Sequence, residues 1–191
     1  MKIDPKRVRV LFLDDEHLPV VEILKQQGYD VDQLVRTGAL DALCDGRYWV
    51  IFFDVRGIGS ELGGSGLNVL EYVAEHNPLI TRFVYSAKPF EGSEAELVRK
   101  YATKVVPKDT TILEIIRLLE ETASGIGRDS ILEELSHRFS LSWWQKLKLR
   151  LGFGLSRADV LSLSRKVGAT ADAIKVVSNC VKLALAIFAA T

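Results

Sequence analysis

Asp14 and Asp15 end one apolar run, VRVLFLDD, and Asp54 ends a second, YWVIFFD. Runs this continuous in Val, Leu, Ile and Phe read as strands buried on both faces. Ligands of a parallel α/β sheet bind outside the carboxyl ends of its strands, so the three acids are expected to meet there. Carboxylates gathered at one point repel one another unless a cation sits between them. A third run, RFVYS, ends at the hydroxyl of Ser86, and a fourth, KVVPK, at the ammonium of Lys108. Any one of these residues alone reads as a turn, a cap or a solvated side chain. The set, in chain order, is two acids, one acid, one hydroxyl and one base.

The elements that must position them follow from periodicity. Strands are expected at 8–15, 30–35, 48–55, 82–87 and 103–108. Between them, helices are expected at 18–27, 39–45, 66–76 and 91–102, and a further helix at 112–122 opens on the T-x-x-E capping box of Thr111 and Glu114. The Gly-rich stretch VRGIGSELGGSG after Asp54 reads as a loop. Five alternations of strand and helix call for a parallel sheet with helices on both faces. After residue 123 the strand signal stops. SGIGRDS at 124–130 reads as a linker, and 131–191 as helices with Ser142, Ser156 and Thr170 at N-cap positions.

The 191 residues suffice for one ordinary domain and a small second one. Formal net charge is zero, but residues 1–124 carry −5 and residues 125–191 carry +5. That contrast suggests two modules with different partners. Cys44 and Cys180 form no metal-ligand spacing and read as reduced thiols of a cytoplasmic protein. The amino terminus has no signal-peptide pattern. The carboxyl-terminal apolar run LALAIFAA falls short of the ~20 residues a membrane span needs, so no span is expected.

The pattern resembles the CheY-like receiver domain of bacterial response regulators over about residues 1–123. Asp14, Asp15, Asp54, Ser86 with Ala87, and Lys108 carry the resemblance, in order and position. It implies a flavodoxin-like (βα)5 fold with sheet order 2-1-3-4-5. It also implies that Asp54 is a phosphoacceptor served by a histidine kinase or phosphotransfer protein. Asp15 and Asp54 would hold Mg²⁺, Asp14 would act directly or through water, and the backbone carbonyl of Arg56 would complete the site. Lys108 and Mg²⁺ would neutralise the phosphoryl oxygens, and Ser86 would donate to one of them after transfer. Such a protein is a switch rather than a turnover enzyme. Three departures stand out. Gly66 lies twelve positions beyond Asp54, a long loop. Val105 occupies the place of the family's aromatic switch, and Asp109 rather than Pro follows Lys108.

Residues 160–179 resemble a helix-turn-helix, with Leu163, Val167, Ala169, Ile174 and Val177 at core positions and Gly168 at the turn. The second helix would offer DNA Thr170, Asp172, Lys175 and Asn179, with Arg165 and Lys166 near phosphates. The competing expectation is a helical bundle that binds a protein partner or forms a homodimer through the carboxyl-terminal helices, with or without phosphorylation. Trp143 and Trp144, followed by Lys146, Lys148 and Arg150, read as a core anchor beside a solvated basic face, ahead of a membrane-surface or partner-binding helix. The overall expectation is an α/β receiver at 1–123 followed by a small all-α output module at 131–191.

Overall fold

A computed structural model of the chain describes residues 3–59 and 65–190. The middle of the loop after Asp54, residues 60–64, lies outside the described residues.

The strands are β1 (Val10–Leu13), β2 (Val31–Leu34), β3 (Val50–Phe53), β4 (Thr81–Ser86) and β5 (Lys104–Pro107). All four pairings are parallel, in the order 2-1-3-4-5. This is the flavodoxin-like sheet expected from the sequence. Every residue of β1 and β3 is buried, as continuous apolar runs between two helical layers require. Register places Phe12 beside Phe52 and Phe52 beside Phe83. Phe12 and Phe52 stack with ring centroids 4.4 Å apart, and Phe83 lies 5.0 Å from Phe52. This cross-strand aromatic ladder pins the register of the three central strands. Pro107 is tolerated because β5 is an edge strand.

The crossover helices are α1 (Pro19–Gln26), α2 (Leu40–Cys44), α3 (Gly66–His76) and α4 (Gly92–Tyr101), and α5 (Ile112–Gly125) follows β5. Helices α2, α3 and α4 pack side by side. The Thr111–Glu114 capping box opens α5, with Glu114 accepting from the Thr111 amide at 2.8 Å. At the N-terminus of α3, Gly66 lies so close to Val55 that a side chain there would collide with its backbone.

Four more helices follow: α6 (Arg128–Phe139), α7 (Trp143–Arg150), α8 (Arg157–Lys166) and α9 (Ala171–Ala190). Ser142, Ser156 and Thr170 accept from the amides of Gln145, Asp159 and Ala173, as caps should. Three expectations are corrected. The stretch read as a linker is almost all helix: α5 runs to Gly125 and α6 starts at Arg128, leaving Ile126 and Gly127 between them. The Trp143–Trp144 pair is no core anchor. Both rings are about two-thirds exposed, and α7 instead buries Gln145 and Leu149. Val167, expected in the core, is 43% exposed.

The longest helix, α9, buries Val177, Cys180, Leu183, Ala184, Ile187 and Phe188. It packs on α6, α7, α8 and also on α3 of the sheet layer. A single apolar cluster therefore runs from the sheet into the carboxyl-terminal helices. By length and composition α9 could cross a membrane, which the eight-residue apolar run did not suggest, because the helix is 20 residues long. One side of the helix is nevertheless buried against the rest of the protein.

The contact between α9 and α3 is polar as well as apolar. Asn77, fully buried at the C-terminus of α3, donates to the carbonyls of Cys44 at 2.9 Å and Asn179 at 3.4 Å. Asn179 in turn donates to the carbonyl of His76 at 3.3 Å. Lys175 pairs with Asp41 of α2 and donates to the Tyr72 hydroxyl at 3.0 Å. Gly46, at φ +90°, lets the backbone of α9 pass. A Cβ there would sit 2.7 Å from the Leu183 nitrogen.

Candidate functional site

The carboxyl ends of β1 and β3, neighbours where the strand order reverses, open the crevice in which such sheets bind ligands. Asp14 follows β1 and is 1% exposed, and Asp54 follows β3 and is 8% exposed. Asp15 is exposed beside them. Each of the three acids offers a carboxylate oxygen within 4.8 Å of the others. Lys108, directly after β5, places its ammonium 2.8 Å from Asp14 Oδ2 and 2.8 Å from Asp54 Oδ2. Burial opposes the charge on Lys108, but its contacts with the two carboxylates prevail and raise its pKa above the ordinary lysine value.

The remaining oxygens are held by backbone. The Glu16 amide donates to Asp14 Oδ1 at 3.0 Å, and the Arg56 amide donates to Asp54 Oδ1 at 3.1 Å. These turns aim the opposite oxygen of each acid at Lys108 and the crevice. Asp14 Oδ2 is buried and, beyond its ion pair, receives no hydrogen bond of good geometry. A carboxylate oxygen held by an ion pair alone keeps a lone pair that a hard cation can take up. Gly57 leaves the space open, because a Cβ there would collide with Asp15 Oδ1 and come within 2.8 Å of Asp54 Oδ2. The three carboxylates thus fit a Mg²⁺ site in both chemistry and spacing.

Ser86, at the end of β4 and 5% exposed, donates to the Lys88 carbonyl at 3.0 Å. It lines one cleft with Asp54, Arg56, Ala87, Lys88, Glu94 and Lys108. Three of these lining residues, Arg56, Lys88 and Lys108, are cationic.

The structure therefore gathers Asp14, Asp15, Asp54, Ser86 and Lys108 at one end of the sheet. Two features escaped sequence reasoning. Arg56 was expected to serve only through its carbonyl. Its guanidinium reaches over the cleft, donating to the Pro89 carbonyl at 3.0 Å and Glu94 at 3.3 Å while lying 4.8 Å from the centre of the Phe90 ring. Asp14, expected in a supporting place, is the more buried of the first two acids. The opposite charges of Arg56 and Glu94 were visible in the chain, but nothing in their spacing showed that the loop after β4 would bring them together.

The residues expected to meet DNA are dispersed. Lys175 and Asn179 face α2 and α3, a correction to their assignment on a groove-facing surface. Thr170 is spent on the Ala173 amide, and Lys166 donates to the Ser140 carbonyl at 2.7 Å. Asp172 and Arg165 are exposed.

No family model and no curated protein matches the sequence. Solved structures do. A CheY-like response regulator receiver domain from Methanospirillum hungatei JF-1 is 17% identical, with a TM-score of 0.52 over 60% of this chain and 92% of that one. The receiver domain of NtrX from Brucella abortus is 21% identical, with a TM-score of 0.50 over 62% and 99%. A mutant of RitR is 20% identical, with a TM-score of 0.54 over 67% of this chain and 55% of that chain. With the 2-1-3-4-5 sheet, these likenesses define the fold class: the chain has the CheY-like receiver fold, extended by four carboxyl-terminal helices.

Proposed function

We propose that the chain is a response regulator of a two-component phosphorelay, with Asp54 as its phosphoacceptor. The observation that carries this is the pairing of Asp54 with Lys108 at 2.8 Å in a cleft shared with Asp14, Asp15 and Ser86. Asp14, Asp15 and Asp54, with the carbonyl of Arg56, would hold Mg²⁺, which would supply charge neutralisation to the incoming phosphoryl oxygens. Asp54 Oδ2 attacks phosphorus, a P–O bond forms, and the P–N bond to a donor histidine breaks. The leaving imidazole keeps the electron pair and takes up a proton. Lys108 meets the new negative charge as its ion pair with Asp54 exchanges for one with the phosphoryl group. Ser86 turns from the Lys88 carbonyl to a phosphoryl oxygen, which draws the loop after β4 toward the site.

The output is the helical segment 126–190, acting by protein contact in the cytoplasm. Docking of Lys175 and Asn179 on α2 and α3 favours this over DNA recognition, since those side chains are occupied. Helix α3 links the two regions. Its first residue abuts Val55 beside the phosphoacceptor, and its last turn holds α9.

A histidine kinase domain carrying labelled phosphate tests the function. Label should pass to the wild-type chain in Mg²⁺ and not to Asp54→Asn. Retention of all label on a panel of active kinases, at conditions where known receivers accept it, would count against the proposal.

A further inference from the structure

Every exposed aromatic side chain among the described residues that is large and apolar lies in one short stretch. Trp143 is 65% exposed, Trp144 64% and Phe153 78%, and Leu151 between them is 59% exposed. Helix α7 is fixed to the bundle by Gln145 and Leu149. At helical spacing, positions 143, 144, 147 and 151 fall on the opposite face. The two indoles meet edge to face at 4.5 Å. Beyond them, Gly152 and Gly154 adopt φ of +77° and +69° on either side of the exposed Phe153.

Cations border the apolar face. Lys146 and Arg150 lie along one edge and Lys148 along the other, with exposed Arg157 opening the next helix. Arg150 pairs with Asp129 and Lys148 with Asp159, while Lys146 is exposed and has no ion pair among the described residues. Large apolar side chains exposed together in one short stretch mark a contact surface. The side-chain types choose among occupants. Indole rings favour the headgroup level of a bilayer, and basic side chains flanking them reach lipid phosphates.

We propose that α7 and the turn through Phe153 form a peripheral binding site for an anionic lipid surface. Trp143, Trp144, Leu151 and Phe153 enter the headgroup region, and Lys146 faces lipid phosphate. The site is independent of the phosphoacceptor reading and would bring the receiver to a membrane by peripheral contact.

The test uses the full chain with vesicles of phosphatidylcholine alone or mixed with phosphatidylglycerol, followed by sedimentation and tryptophan emission. Trp49 is 2% exposed, so a blue shift reports the surface pair. Anionic vesicles should sediment the protein and shift its emission, and added salt should weaken both effects. The double variant Trp143→Ala/Trp144→Ala should bind at least about tenfold more weakly, and Lys146→Glu should also bind more weakly, each with an unchanged circular dichroism spectrum. Absence of vesicle binding, or equal binding by the double variant, would overturn the proposal. So would equal binding to neutral vesicles. A concentration-dependent dimer abolished by the double variant, without vesicle binding, would assign the patch to a second copy instead.

Discussion

Lys108 holds two buried carboxylates that would otherwise repel each other. Its Nζ lies 2.8 Å from both Asp14 and Asp54, and its own side chain is 21% exposed. Removing one partner of a buried ion cluster leaves uncompensated charge. Lys108→Ala should therefore lose about 2 kcal/mol of stability in metal-free buffer, discounted for partial exposure. Mg²⁺ should then raise the melting temperature of the variant more than that of wild type, since the competing cation is gone. Equal melting curves with and without Mg²⁺ would contradict this arrangement of charges. The acids, Ser86 and Lys108 were legible in the chain because each terminates an apolar run, and a strand end in a parallel sheet has one place to go. The reach of the Arg56 guanidinium was not legible, because it depends on Phe90 and Glu94 arriving from another loop.

At the scale of elements, caps decide where the carboxyl-terminal helices start. Asp159 closes the capping box of α8 with Ser156 and also pairs with Lys148 of α7 at 2.8 Å. The Lys148 ammonium, then the Ser156 hydroxyl, hold its carboxyl down at about 2. A depressed carboxylate contributes stability that is complete above its unfolded value of roughly 3.9 and is lost as pH falls through the folded value. Asp159→Asn should thus be about 1 kcal/mol less stable than wild type near neutrality, after allowance for solvent screening, and the gap should close between pH ~4 and ~2. Urea titrations across that range would show it, and a constant gap would refute the assignment. The cap residues and helix spans could be read from Ser142, Ser156 and Thr170. The seating of α9 could not, because Asn77 and Asn179 look like ordinary polar residues until packing buries both. Asn179→Ala should speed hydrogen exchange in α9 about tenfold or more, the loss of roughly 1–2 kcal/mol from a buried hydrogen-bond pair. Unchanged exchange would show that apolar packing alone holds the helix.

For the whole molecule, the receiver and the helical segment share one apolar core. The sequence suggested two modules because charge and periodicity change near residue 124. Neither signal reports contacts between α9 and α3, which are separated by about a hundred positions. A shared core should unfold as a unit. Tryptophan emission, dominated on exposure changes by Trp49 in β3's approach, and far-ultraviolet circular dichroism should give superimposable urea transitions. Two separated transitions would mean that the helical segment folds on its own. The long apolar helix is a second lesson in scale. The run after Lys182 is short, but the helix that contains it has 20 residues, because Ala173, Val177 and Cys180 extend its buried stripe toward the N-terminus.

The most direct test of the central claim is the intact mass of the chain after incubation with a small acyl phosphate. In Mg²⁺, wild type should gain one phosphoryl group, lose it to hydroxylamine as an acyl phosphate does, and gain none when the metal is chelated. Asp54→Asn should gain none under any of these conditions. Wild type that stays unmodified in Mg²⁺, or Asp54→Asn that is modified as fully as wild type, would contradict Asp54 as the phosphoacceptor.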